Sequence, residues 1–178
     1  MNSTHYLSID ALHQKAKSIE LLILDVDGVL TNGKIYLSSN GDEMLAFHIH
    51  DGHGIKLLQQ IGVTIAVISG RDNMATRMRL TNLGIQHIYL GEKDKAHRYA
   101  LLKQALNIDG TRSAYIGDDL PDLPVMQQVT LPIAVKNAVP QVKQVALWET
   151  TKSGGKGAVR EVCDIIYAAK IIDERSES

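Results

Sequence analysis

The chain has 178 residues, 44% hydrophobic and 22% charged, a balance that suits one globular domain needing no disulfide or metal to hold its core. Its 19 basic and 20 acidic residues give a net charge of -1, without the basic excess of a nucleic-acid binder. The single cysteine, Cys163, excludes an intrachain disulfide and suits a reducing cytoplasm, and no apolar run nears the ~20 residues of a membrane span.

In chain order, Met1 to Lys17 lacks the apolar core of a signal peptide and predicts a helix capped by Ser8, with Ile9, Leu12 and Ala16 on one face. Leu21–Leu24 is an apolar run of strand length. Lys34–Leu37 and Met44–His48 are short β-like runs flanking Ser38-Ser39-Asn40-Gly41-Asp42, which predicts a hairpin flap over 33–48. Helical patterns follow at Ile55–Ile61, Asn73–Leu83, Lys95–Leu106, Leu120–Gln128, Ala138–Gln144 and Ala158–Ile172. Further strands are predicted at Val63–Ile68, His87–Leu90, Ala114–Ile116, Leu131–Val135 and Val145–Trp148. The tail 173–178 is expected to fray. Apolar strands alternating with helices imply an α/β fold: a Rossmann-like parallel sheet with helices on both faces, as one domain over 1–178. Ligands of such a sheet sit at the carboxyl ends of its strands.

Two strand tips are acidic. Leu21–Leu24 runs into Asp25-Val26-Asp27-Gly28, and Tyr115-Ile116 runs into Gly117-Asp118-Asp119-Leu120-Pro121-Asp122. Carboxylates are expelled from a buried strand, so both sets belong where the chain leaves the sheet. Side by side, three or more would repel one another without a cation, and an all-oxygen set without thiolate favours Mg²⁺ over Zn²⁺. A single acidic loop would suit a helix cap equally well. The strand Val63–Ile68 ends in Ser69-Gly70-Arg71 before a helix N-terminus, a ready anion site, and Lys95 opens another helix where it supplies a fixed cation. Alone, Ser69 suits a cap and Lys95 a solvated lysine. Their order along the chain argues otherwise.

That order, Asp-x-Asp-Gly-Val-x-Thr from Asp25 to Thr31, Ser69, Lys95, then Gly-Asp-Asp-x-x-Asp from Gly117 to Asp122, resembles the four motifs of the haloacid dehalogenase superfamily. More narrowly, four segments resemble the 3-deoxy-D-manno-octulosonate 8-phosphate phosphatases of lipopolysaccharide biosynthesis: Leu24-Asp25-Val26-Asp27-Gly28-Val29-Leu30-Thr31, Asp51-Gly52-His53-Gly54-Ile55, Gly117-Asp118-Asp119-Leu120-Pro121-Asp122, and Gly154-Gly155-Lys156-Gly157-Ala158-Val159-Arg160-Glu161. The resemblance implies a cytoplasmic phosphomonoesterase with Asp25 as nucleophile and Asp27 as general acid and base. It implies Mg²⁺ held by Asp25, the Asp27 backbone carbonyl and Asp118, with Ser69 and Lys95 on the phosphoryl oxygens. Asp119 and Asp122 would orient water or support their loop. His48, Ile49, His50, Asp51, Gly52, Arg71 and Arg79 would lie near a phosphorylated sugar acid, although relatives often carry arginine where this chain has His50. The alternatives are a phosphatase for nine-carbon, sialic-acid-type 9-phosphates, or an idle oligomerisation module on the same scaffold.

Superfamily members often insert a cap domain. Here the interval from Asp27 to Ser69 holds only a hairpin and a helix, and Lys95 to Asp118 only a helix and a strand, so no cap fits. An open site implies walls from neighbouring subunits, and the resemblance implies a homotetramer whose Gly154–Gly157 segment reaches a neighbouring site. His48, His50 and His53 form a lip of the pocket rather than a zinc tract. Gly154–Gly157 lacks Walker spacing and is expected to be a flexible loop. Arg77 suits a solvated helix charge, and Cys163 a buried, inert thiol.

Overall fold

A computed structural model describes residues 6–176, with side-chain surroundings through Ile171. A central six-stranded sheet runs in the order β5-β4-β1-β6-β7-β8, every pairing parallel. Its strands are β1 (Leu21–Leu24), β4 (Thr64–Ser69), β5 (His87–Leu90), β6 (Ser113–Gly117), β7 (Leu131–Ala134) and β8 (Trp148–Glu149). β1, β6 and β7 are buried along their whole length, which explains why they are apolar throughout rather than alternating. β1 lies between β4 and β6, where the strand order reverses, and this switch point opens a crevice at the carboxyl ends.

Among the described residues seven α-helices surround the sheet: α1 (Ile9–Lys17), α2 (Ile49–Gln60), α3 (Met74–Asn82), α4 (Lys95–Leu106), α5 (Leu123–Met126), α6 (Pro140–Val145) and α7 (Ala158–Ser176). α7 packs against both α1 and α2, while α5 packs against α4 and α6, so two helical groups flank the sheet. No helix among the described residues is long and apolar enough to cross a membrane. A two-stranded antiparallel hairpin, β2 (Tyr36–Leu37) and β3 (Glu43–Met44), stands apart from the sheet.

Several boundaries differ from the sequence expectation, each for a local reason. α2 begins at Ile49 rather than Ile55, because His48 caps it by accepting the His50 amide on Nδ1. Met44–His48 is therefore strand only at its start, although Phe47 forms an isolated bridge to Thr31. In the hairpin turn Gly41 alone takes a positive φ; Asn40 does not. Ile9 is 73% exposed, and only Leu12 and Ala16 of the proposed face of α1 are buried. Residues 120–128 begin as a 3₁₀ turn, Leu120–Asp122, before the short α5. Val145 ends α6 rather than starting β8. α7 runs to Ser176; of the tail 173–178, Glu177 and Ser178 lie outside the described residues.

Candidate active site

Three strand tips and the start of α4 converge on one cleft of about 350 Å³, lined by Asp25, Asp27, Ser69, Arg71, Lys95 and Asp118, with Asp119 and Asp122 at its side. Asp25 follows β1, and its amide donates to the Ile116 carbonyl of β6 at 3.1 Å, which ties the two acidic tips together. Gly28 then turns the chain with φ at 85°; a side chain there would collide with the Asp118 carboxylate. Glycine lets the two tips touch.

The deepest part of the cleft is a closed polar nest. Lys95 Nζ donates to Asp25 Oδ1 and to Asp122 Oδ1, both at 2.7 Å, and the Tyr115 hydroxyl donates to the same Asp122 oxygen at 2.7 Å. The second Asp122 oxygen accepts the Asp118 and Asp119 amides at 2.9 and 3.2 Å. Lys95 begins α4 directly after its cap, Asp94, so the helix fixes where the ammonium emerges. Taking these ions out of water costs several kcal/mol each, which is offset only because every oxygen of Asp122 and the ammonium find partners.

The carboxylates outnumber the ammonium, and their protonation reflects it. Burial and then the Asp122 charge push Asp25 up to about 7, against the opposing pull of Lys95. Burial, then Asp25, Asp122 and Asp119, push Asp118 up to about 8. Burial alone would lower the Lys95 pKa, but Asp25 and Asp122 outweigh it and raise it. Tyr115 is held well above its ordinary value by burial and by Asp122 and Asp25, and stays a neutral donor.

Oxygens of Asp25, Asp118 and Asp122 lie within 4.8 Å of one another, close enough to share a cation. The donor chemistry separates them. Both Asp122 oxygens are already engaged, whereas the Asp118 carboxylate and the Asp27 backbone carbonyl accept no hydrogen bond among the described residues. Asp25 and Asp118 therefore offer the carboxylate oxygens of this cluster to a hard divalent cation, and such a charge would oppose the upward shifts of both.

Around this nest, Ser69 ends β4, is 2% exposed, and accepts the Arg71 amide at 3.3 Å. The Asp27 carboxylate accepts Arg71 Nη1 at 3.2 Å. His48, Ile49, His50, Asp51 and Gly52 are not brought to the cleft within one chain. They form the start of α2, where Arg79 packs on Gly52 beside Leu30, Phe47 and Leu83. Ile49 is 79% exposed, and the His48 and His50 rings meet edge to face at 5.0 Å. Asp51 is buried: one oxygen accepts the Arg160 amide at 2.8 Å at the start of α7, the other has no hydrogen-bond partner within standard distance among the described residues, and burial raises its pKa.

The Gly154–Gly157 segment is not a free loop. Gly154 lies against the Gly28 carbonyl, its amide donating to Asn137 Oδ1 at 2.6 Å, while Asn137 Nδ2 donates to the Gly28 carbonyl at 3.0 Å. The Gly155 amide donates to the Val29 carbonyl at 3.0 Å. Within one chain the segment docks onto the Gly28–Asn32 turn, because only glycine allows so close an approach. Cys163 is buried with its thiol pKa raised by burial, and exposed Arg77 pairs with Asp72.

A sequence model of the haloacid dehalogenase-like hydrolases matches residues 81–162. The 3-deoxy-D-manno-octulosonate 8-phosphate phosphatase KdsC of Yersinia pestis is 43% identical over 176 residues, 96% of this chain and 94% of that protein. The chain belongs to the haloacid dehalogenase-like hydrolases. KdsC of Escherichia coli K12 is 44% identical over 88% of this chain and 83% of its own. Among hydrolases of solved structure, the Moraxella catarrhalis 3-deoxy-D-manno-octulosonate 8-phosphate phosphatase, in complex with magnesium, phosphate and KDO, superposes with a TM-score of 0.89. It is 40% identical, over 96% of this chain and 100% of that one.

Sequence reasoning missed three contributors. Tyr115 reads from the sequence only as strand, although a phenol in the buried strand leading to an acidic tip is a signal in a chain with 4% aromatics. Asn137, in the loop after β7, bridges two glycine segments distant in sequence and carries no local signature. Glu43 sits in the hairpin, where a charge ordinarily faces water.

Proposed function

We propose that this chain is a magnesium-dependent phosphomonoesterase that hydrolyses 3-deoxy-D-manno-octulosonate 8-phosphate through an aspartyl-phosphate on Asp25. The observation that carries the reading is the nest at the β1/β6 junction. A buried carboxylate is paired to a fixed ammonium at 2.7 Å, with a second carboxylate from the neighbouring strand tip beside it. The relatives' activity supports the substrate.

Phosphoryl transfer has a loose transition state, so a protein contributes mainly position and charge. Asp25, Asp118 and the Asp27 carbonyl would hold Mg²⁺, which when bound offsets the repulsion between the phosphate and its nucleophile. Lys95 keeps Asp25 pointed into the cleft and adds a cation beside the phosphoryl oxygens. Ser69 donates its hydroxyl to a phosphoryl oxygen. Asp25 attacks phosphorus as the ester oxygen departs. Asp27 protonates that oxygen, since a sugar alkoxide is strongly basic, then takes a proton from the water that cleaves the acyl phosphate; this role contributes ~10²–10⁴-fold. Asp122 anchors Lys95 and the Asp118–Asp119 turn.

No cap covers the cleft among the described residues, and exposed apolar side chains occur on the hairpin and on α2 and α3: Tyr36, Leu37, Met44, Ile49, Met74. Such surfaces on a protein this size are suited to burial by a partner. The reading therefore includes a cytoplasmic homotetramer in which neighbours wall the cleft, and exposed Ile49 and His50 face a partner's substrate rather than their own. The deciding experiment is a panel of eight- and nine-carbon sugar-acid phosphates with Mg²⁺, alongside light scattering at assay concentration. Preferential hydrolysis of the eight-carbon 8-phosphate by an oligomer is expected. Preference for a nine-carbon 9-phosphate, or a fully active monomer, would overturn the corresponding part.

A further inference from the structure

We infer that Glu43, on the β2–β3 hairpin, is a positioning residue for recognition of the leaving group: it fixes the Arg71 guanidinium at the rim of the cleft. The inference rests on the sugar-acid reading above and adds to it a residue outside the four motifs.

Arg71 is held at three points. Its amide donates to Ser69 Oγ at 3.3 Å, its Nη1 to Asp27 Oδ1 at 3.2 Å, and its Nη2 to both Glu43 oxygens at 2.9 and 3.1 Å. Glu43 is held in turn. Asn73 Nδ2 donates to it at 2.7 Å, while Asn73 Oδ1 caps α3 by accepting the Ala75 and Thr76 amides. An unbroken chain of contacts therefore runs from the N-terminus of α3 through Asn73, Glu43 and Arg71 to Asp27. It crosses from the hairpin to the loop after β4, two segments that share no sheet.

Two features distinguish positioning from stabilisation. The side chains of Arg71 and Glu43 are 38% and 31% exposed, so solvent screens the pair and it contributes little to folding. An arginine side chain ordered before substrate arrives, however, loses no rotamer freedom on binding. Arg71 is also the cation that remains for the substrate's second anion. Of the two basic residues lining the cleft, Lys95 is committed to Asp25 and Asp122. Arg71 keeps its Nε–H and one Nη1–H without a partner among the described residues. Each can donate singly to a carboxylate oxygen of the departing sugar. Glu43 engages only Nη2, which orients the fork without filling it.

The test is a double-mutant cycle in steady-state kinetics on 3-deoxy-D-manno-octulosonate 8-phosphate with Mg²⁺. It compares wild type, Glu43→Gln, Arg71→Ala and the double variant, with thermal midpoints measured in parallel. Glu43→Gln is expected to raise KM about tenfold with kcat within about threefold, the pattern of lost binding that is uniform between ground and transition states. In the Arg71→Ala background the same substitution is expected to leave KM unchanged, because the two residues act as one unit. Glu43→Asp keeps the charge but shortens the reach, and an intermediate KM is expected should the glutamine variant fold poorly. Equal losses in both backgrounds would mean that Glu43 serves only the hairpin and would overturn the inference, as would an unchanged KM in the single variant. Wild-type protein that hydrolyses an aryl phosphate but no sugar-acid phosphate would overturn the substrate reading, and this inference with it.

Discussion

The floor and the rim of the cleft are both built from ion pairs, yet they differ in kind. On the floor, Lys95, Asp25 and Asp122 are almost wholly buried, both ion pairs are short, and Asp122 is further held by Tyr115 and a backbone amide. On the rim, Arg71, Asp27 and Glu43 are each about a third exposed. In the low dielectric of the floor a missing partner is costly and charge is strongly felt; on the rim solvent screens both effects. The floor is suited to chemistry that every phosphoester demands, and the rim to telling one leaving group from another.

The largest effect is expected on the floor, at Asp25. Asp25→Asn removes the nucleophile while keeping the shape, and turnover is expected to fall to background with the circular-dichroism spectrum unchanged. Retained turnover in a sample checked for deamidation would refute the assignment. Lys95→Met comes next. It strands two buried carboxylates, and a stability loss of about 3–5 kcal/mol is expected in denaturant titration of metal-free protein.

Protonation sharpens the contrast. Asp25 and Asp118 have folded pKa values raised to about 7 and about 8, against ~3.9 for an unfolded aspartate. Both therefore bind protons more tightly folded than unfolded. Their contribution to stability is fully present below pH ~4 and is lost as pH rises through the folded values. Metal-free protein should lose thermal stability between pH 5 and about 8, and Mg²⁺ should restore more of it at the upper end, measured by scanning calorimetry. A flat profile would contradict the crowding of charge on the floor. The smallest effect belongs to the rim, where Glu43→Gln is expected to change stability by no more than about 1 kcal/mol.

The same division governs what the sequence made legible. The strands β1 and β5 and the helix α4 lie where hydrophobic pattern and capping residues place them, because burial along a whole strand or a helix face leaves a periodic trace. Asp25, Asp27, Ser69, Lys95 and Asp118 stand out because each follows a strand or opens a helix, where a polar residue needs a reason. Contacts between segments far apart in sequence leave no such trace. Asn137 joins Gly28 to Gly154, Asp51 meets the start of α7, and Glu43 reaches Arg71 from a hairpin of two-residue strands. α2 starts six residues before its apolar pattern because His48, an unusual cap, does the work that Ser, Asp or Asn ordinarily does.

The account depends on acids from the β1 and β6 tips gathering a divalent cation beside Asp25. Isothermal titration of metal-stripped protein with Mg²⁺ tests this directly, comparing wild type with Asp118→Asn and Asp27→Asn. One ion per chain is predicted for wild type, with binding lost in Asp118→Asn and retained in Asp27→Asn, where the backbone carbonyl is unaltered. Undiminished binding by Asp118→Asn would place the ion elsewhere and contradict the account.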